Sequence, residues 1–315
     1  MKTVFGPIPS RRLGQSLGID PIPLKTCNWN CVYCQLGRSR PMTNVRRTYV
    51  DSTLILAQLE AALNSHSPGE IDWLTFVGSG EPTLHAGLGK MIRAAKKMTD
   101  IPVAVITNGA LLFLPEVRHD LLAADAVLPS LDAGNAALYK KINRPHPGVP
   151  FERVIDGMVA FRQAYQRKLW VEVMMVCGMN DTEPALREIA SVLKRINPDE
   201  IHLNQPIRPP AETWVQQADQ EGLLRARAIL GEKTRIFTTP EGHFDLGQFE
   251  DLVDAILTII TRHPMRQTEL ERTLQEWGRE EINQALEQLR DSGQAQIVER
   301  YGVLFWSAIG SYYPS

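Results

Sequence analysis

Short runs of apolar and β-branched residues alternate with longer stretches whose apolar positions recur every three to four residues. The runs cover 17–22, 73–77, 103–107, 126–131, 169–176 and 200–207, with a seventh at 235–239. The stretches between them, 52–65, 87–98, 115–123, 151–165, 183–196 and 220–230, read as helices. Asp51 and Ser52 are candidate N-caps for the first of these, and Glu183-Pro184 reads as a helix start. The strand runs are almost continuously apolar, the pattern of strands covered on both faces. Repeated strand–helix units predict a parallel sheet with right-handed crossovers. Six or seven units are too few for a closed eight-fold barrel. The expected fold is therefore α/β, an open, partial (β/α)6 TIM-like barrel that binds ligands beyond the C-terminal ends of its strands.

From about Phe244 the pattern changes. Helical segments at 249–261, 267–277 and 280–291 precede two strand candidates, 295–299 and 302–306, joined by Arg300-Tyr301. Three helices and a hairpin are the order of a winged helix. The expected division is a barrel over 1–243 and a small winged-helix-like domain over 244–315.

A chain of 315 residues fits one large and one small domain. With 43% hydrophobic and 22% charged residues, and no apolar run near the ~20 residues that span a bilayer, no membrane location is expected. The N-terminal residues lack the features of a signal peptide, and a cytoplasmic location is the default expectation. Net charge is −2, unevenly placed. Residues 1–50 carry eight basic side chains against one acid, Asp20; residues 250–315 carry eleven acids against six arginines and no lysine. An anionic partner would favour the first part and be repelled by the last.

Three of the four cysteines, Cys27, Cys31 and Cys34, fall within eight residues directly after the first strand run. Clustering of this kind points to metal rather than to a disulfide framework. Three thiolates on a short loop can hold three irons of a cubane cluster and leave the fourth open to a small chelating molecule. A structural zinc loop is the alternative, but it wants four closed ligands, and no second cysteine pair exists. A ferredoxin-type carrier would want a fourth cysteine. Cys177 stands alone and reads as a buried small hydrophobe.

The remaining candidate chemistry lies after the strand runs. Gly78-Ser79-Gly80-Glu81-Pro82-Thr83 follows the second run, with glycines that permit close approach and an acceptor in Glu81. Thr107-Asn108-Gly109 follows the third; Ser130 and Asp132, two apart at the end of the fourth, share one side. Arg144 reads as a carboxylate partner or a surface loop arginine. His202 reads as a hydrogen-bonded core histidine, and Arg208 and Glu212 as candidates for substrate contact at the barrel mouth.

The C-x3-C-x-aromatic-C segment after the first strand resembles the signature of the radical S-adenosylmethionine (SAM) superfamily, over residues 14–210. The resemblance implies a [4Fe–4S] cluster on Cys27, Cys31 and Cys34, with SAM at its open iron. It implies that Tyr33 lies by the adenine, that Gly80 and Glu81 receive the methionyl amine, and that Asn108 faces the SAM pocket. Ser130, Asp132 and Arg144 join the expected SAM set. Ser79 stands where the superfamily has a glycine. The implied chemistry is one-electron cleavage of SAM to methionine and a 5′-deoxyadenosyl radical that abstracts a substrate hydrogen, with electrons from a flavodoxin- or ferredoxin-like donor.

Residues 6–14 and 204–210 resemble the wyosine-tRNA-synthase-related Fe–S oxidoreductase group, which implies tRNA as an anionic substrate. Two departures stand against a wyosine synthase itself: no cysteines remain for a second cluster, and Lys25 matches no substrate-capturing lysine. RNA near the basic first part is one expectation. A protein or peptide substrate docked on the acidic C-terminal segment is another, and a non-enzymatic metal-binding interaction module a third. With docking as its role, the segment 250–315 is expected to be dispensable for SAM cleavage.

Overall fold

The computed structural model describes residues 2–237 and 251–314. Among them one eight-stranded sheet follows chain order: β1 (Val4–Ser10), β2 (Gly14–Ile19), β3 (Trp73–Phe76), β4 (Val103–Thr107), β5 (Ala126–Pro129), β6 (Lys168–Met174), β7 (Glu200–Asn204) and β8 (Thr234–Ile236). Strands β2 to β8 run parallel. Strand β1 pairs antiparallel with β2 at the sheet edge, with a register shift between Phe5 and Ile8. It lies outside the expected elements because Pro7 and Pro9 interrupt its pattern, and an edge strand is where prolines are tolerated. The end strands β1 and β8 are not paired with each other, so the sheet is open. The result is an α/β fold with a parallel-dominated sheet, consistent with a partial TIM-type barrel.

The helices between the strands are α1 (Ser52–Asn64), α2 (Leu88–Met98), α3 (Pro115–Leu121), α4 (Ala136–Ile142), α5 (Phe151–Ala164), α6 (Glu183–Ile196) and α7 (Gln220–Leu230). Asp51 caps α1 by accepting from the Thr53 amide at 2.9 Å. Helix α4 is an addition to the expected set. It starts on Asn135, which accepts from the Leu138 amide at 2.8 Å.

Alternate strand residues face different partners. Val103, Val105 and Val127 belong to the core shared with Leu88, Ile92, Val117 and Met158 of the helices. Ala104, Ala126 and Leu128 form a second cluster with Leu13, from the turn between β1 and β2. That turn is folded against the face of the sheet away from the helices. Both faces are thus covered, as the continuous apolar strands require.

The C-terminal segment contains α8 (Leu252–Arg262), α9 (Gln267–Thr273) and α10 (Arg279–Asp291), then the antiparallel hairpin β9 (Ala295–Arg300) and β10 (Val303–Ala308). Tyr301 and Gly302 turn the hairpin, both at positive φ. The segment has its own core, around Ile256, Ile260, Leu270, Leu286, Leu289 and Trp306. The expected boundary at 243/244, the end of the seventh strand run at 238–239 and the helix start at 249 lie outside the described residues.

One expectation meets a contrary observation. Cys177 is exposed, because the preceding Val176 takes the inward position beside Val32 and Val215 and the chain then turns outward. The C-terminal segment touches the cysteine loop directly. Gln35 Nε2 donates to the Arg262 carbonyl at 2.7 Å, the Arg38 amide donates to the Tyr312 carbonyl at 2.7 Å, and the Tyr313 hydroxyl donates to the Gln35 carbonyl. Gly37, at φ +72°, makes this pairing possible: a Cβ there would lie 2.0 Å from the Tyr312 carbonyl oxygen.

Candidate active site

The cysteine loop leaves β2 with little regular structure and is held by pairing with the chain that leaves α4. The Asn30 amide donates to the Asn143 carbonyl at 2.9 Å and the Val32 amide to the Ile142 carbonyl at 2.9 Å, while Trp29 bridges Pro145. Trp29 and Val32 are buried, and Trp29 meets the Tyr139 ring edge-on at 5.4 Å. These contacts fix the backbone on both sides of Cys31.

Each of the three thiols faces a nitrogen donor. Lys25 Nζ lies 3.1 Å from Cys34 Sγ, Asn108 Nδ2 lies 3.7 Å from Cys27 Sγ, and Asn143 Nδ2 lies 3.7 Å from Cys31 Sγ. The Trp29 amide adds a second donor to Cys27 at 3.4 Å. Burial pushes the Cys27 thiol up to about 12, against the opposing pull of the Lys25 ammonium. Burial works against the charge on Lys25 as well, but the nearby sulfurs, Cys34 foremost, outweigh it and raise its pKa. Among the described residues no three Cys, His, Asp or Glu side chains converge as the ligands of one metal ion.

The loop after β3 is locked to the cysteine loop through Gly80. A Cβ on Gly80 would stand 1.9 Å from the Thr26 carbonyl oxygen, which accepts the Glu81 amide at 2.9 Å. Ser79 donates its hydroxyl to Asp20 Oδ2 at 2.6 Å, and Asp20 pairs with Arg262 of α8 at 3.4 Å. Glu81 is buried, and burial raises its pKa against the hydrogen bonds it receives. Its Oε1 accepts from Thr83 Oγ1 at 2.5 Å and Thr107 Oγ1 at 2.6 Å; among the described residues its Oε2 accepts only the Asn108 amide, at 2.7 Å, and retains room for another donor.

At the next strand ends, Asn108 Nδ2 donates to Asn28 Oδ1 at 2.7 Å and Ser130 bridges to Glu172 of β6. Asp132 is buried and accepts from the Tyr33 hydroxyl at 2.5 Å, Asn143 Nδ2 at 2.6 Å and the Met174 amide at 2.8 Å. It thereby fixes the position of Tyr33, one residue before Cys34. Arg144 pairs with a carboxylate of the chain itself, Glu212, at 2.5 Å. Glu212 also receives both arms of Arg38, at 2.7 and 2.8 Å, and the two arginines hold its pKa below the usual carboxylate range in spite of its burial. Arg208 pairs with Glu269 of α9 at 2.5 Å. His202 is buried, with Nε2 2.9 Å from Glu200 Oε2.

The expected residues around the cysteine loop thus converge on one end of the parallel strands. Cys27, Cys31, Cys34, Tyr33, Gly80, Glu81, Asn108 and Asp132 are linked by direct contacts; Ser130 stands beside them at the end of β5, and Arg144 at the rim. Sequence reasoning missed Asp20 and Asn143 and gave Lys25 no role. Asn143 was within reach, as a polar residue between the α4 apolar positions and Arg144; Asp20 and Lys25 carry no local signal.

Comparison with known proteins places the chain in a family. Residues 22–202 match the model of the radical SAM superfamily. The chain is 38% identical over 273 residues to a UPF0026 protein of Methanocaldococcus jannaschii, covering 85% of this chain and 84% of that one. It is 42% identical over 227 residues to a protein of Brachyspira hyodysenteriae named GTPase Obg, covering 72% of this chain and 33% of that one. A solved radical SAM methyltransferase from Sphaerobacter thermophilus shares the fold, with a TM-score of 0.52 at 16% identity over 70% of this chain and 66% of that one. The chain is a member of the radical SAM superfamily, an enzyme of the kind that works with a [4Fe–4S] cluster and SAM.

Proposed function

We propose that Cys27, Cys31 and Cys34 hold the cluster and that the adjoining strand ends bind SAM. The observation that carries this reading is the nitrogen donor opposite each thiol, since N–H groups directed at sulfur favour thiolate ligands. When bound, the cluster supplies the electron that cleaves SAM to methionine and a 5′-deoxyadenosyl radical, which takes a hydrogen atom from the substrate.

The chain's own residues place and shield that chemistry. Glu81, with its spare acceptor capacity, receives the methionyl ammonium beside the Gly80 backbone. Tyr33, held by Asp132, flanks the adenine; Asn108 and Ser130 line the pocket; and Arg144, with Arg38 and Glu212, closes its rim. Trp29 and Val32 exclude water from one side of the loop. Electrons come from a flavodoxin- or ferredoxin-like donor, as is typical of the superfamily. The helix–helix–helix–hairpin order supports a winged-helix-like domain beginning near residue 244, seated on the cysteine loop.

The substrate is anionic, a reading supported by the basic first part of the chain. A tRNA is one such substrate, as the resemblance of residues 6–14 and 204–210 implies. The test is anaerobic reconstitution with iron and sulfide, then SAM and dithionite. A brown protein that releases 5′-deoxyadenosine is expected, and the release is expected to vanish on replacing any one of the three cysteines by alanine. A colourless protein that leaves SAM intact would refute the proposal.

A further inference from the structure

The chain that follows Cys34 turns sharply. The Gly37 amide donates to the Cys34 carbonyl at 3.0 Å, which makes residues 34–37 a β-turn. Such a turn brings its end Cα atoms within about 7 Å of each other, and Arg38 is one residue further. Elsewhere the cysteine loop is walled in: Trp29 and Val32 are buried, and the Gly80 loop closes on Thr26. SAM, in the proposed reading, takes the open iron. The turn after Cys34 thus lies on a side of the cluster site that neither SAM nor the core covers, and there Arg38 is half-buried and Arg40 exposed.

The charge on this side has one sign. Between Asp20 and Asp51 the sequence carries five basic side chains and no acid. The tail that pairs with the turn adds no charge, since the acids of the C-terminal segment all precede residue 300. Arg38 and Arg144 share the one carboxylate of Glu212, at 2.7 and 2.5 Å. Arg40 makes no ion pair among the described residues; its guanidinium lies over the Tyr312 ring, 3.8 Å from the centroid. Three arginines therefore meet one acid beside an aromatic ring that is 41% exposed.

We propose that Arg38, Arg40, Arg144 and Tyr312 form the docking surface for an acidic one-electron carrier protein, the donor that reduces the cluster. Arginine and tyrosine are enriched at protein interfaces, and an unpaired surface cation steers an acidic partner into place. An RNA backbone fits this surface less well, because the Glu212 carboxylate already spans Arg38 and Arg144. On docking, the carrier's reduced flavin loses one electron and the bound cluster gains it, and no atom moves with the electron. This inference rests on the proposed cluster on Cys27, Cys31 and Cys34, since it assigns the route by which electrons arrive.

The test uses the full-length, cluster-reconstituted enzyme and a purified bacterial flavodoxin. Release of 5′-deoxyadenosine is followed with reduced flavodoxin and, separately, with dithionite, a small reductant that needs no docking surface. Binding of oxidised flavodoxin is measured by calorimetry at low and high salt. R40E is expected to weaken flavodoxin binding at low salt by about tenfold, with the difference shrinking as salt rises. It is expected to lower the flavodoxin-driven rate at limiting carrier to a similar extent and to leave the dithionite-driven rate unchanged. R93E, the same charge change on the exposed face of α2, is expected to behave as the wild type. Equal flavodoxin affinity for R40E and the wild type would overturn the surface, as would an equal loss of the dithionite-driven rate. So would a loss of affinity for bulk tRNA with flavodoxin binding intact. Dithionite-driven cleavage by the wild type alone tests the cluster reading, so the two failures are told apart.

Discussion

The Lys25 ammonium lies 3.1 Å from Cys34 Sγ, on a backbone held at φ +61°. A non-glycine residue in the left-handed region persists only where surrounding structure over-determines it; here the Lys25 amide donates to the Ser79 carbonyl at 2.6 Å. With Cys34 as a proposed cluster ligand, a fixed positive charge beside it stabilises the more negative, reduced state. Lys25→Met is therefore expected to lower the cluster's reduction potential by on the order of 50 mV, near the 59 mV of a tenfold one-electron change. Potentiometric titration followed by electron paramagnetic resonance measures this, and an unchanged potential would remove Lys25 from cluster tuning.

Removal of residues 311–315 deletes the contacts of Tyr312 and Tyr313 with Gln35, Gly37 and Arg38. At about 1 kcal/mol for each of the two hydrogen bonds, the open form of the loop becomes roughly thirtyfold more populated. Faster loss of cluster absorbance to an iron chelator is the expected result. Equal loss rates for the truncated and full-length proteins would show that the segment does not hold the loop.

Arg262 and Asp20 are both nearly sealed from water, with side chains 11% and 2% exposed. Taking one partner from such a pair leaves a buried charge, at a cost of about 3–5 kcal/mol. Arg262→Met is expected to lose stability on that scale in denaturant unfolding, and adding Asp20→Asn to recover part of it. A double variant no more stable than the single one would mean that Arg262 acts through packing over Phe5, whose ring centroid is 4.5 Å away.

His263 supplies a pH dependence. Burial, with Arg208 and Arg262 beside it, holds its pKa down to about 3, below the ~6.5 of an unfolded histidine. Between these values the unfolded chain binds a proton that the folded chain does not, so this contribution to stability falls as pH falls below ~6.5. His263→Gln removes it. The stability difference between the variant and the wild type, measured without added anions, is expected to move in the variant's favour by about 1.4 kcal/mol for each pH unit below 6. A difference independent of pH would show that His263 is protonated in the folded state.

Much of the scaffold is legible in the sequence because its signals are local. Strands β3 to β5 are short runs of apolar and β-branched residues, and the spacing of Cys27, Cys31 and Cys34 lies within one loop. Strand β1 is obscured by Pro7 and Pro9 and exists by pairing with β2. Asp20, Lys25 and Asn143 acquire their roles only when distant segments meet, as when Asp20 finds Ser79 and Arg262. Cys177 shows the limit of a residue-type average: its exposure is decided by which neighbour, Val176, takes the inward place.

The contact between Tyr313 and Gln35 spans 278 positions of sequence. During synthesis the cysteine loop emerges long before the segment that contacts it. The pairing of Gln35, Gly37 and Arg38 with the chain's last residues therefore forms only after the intervening strands and helices have been made.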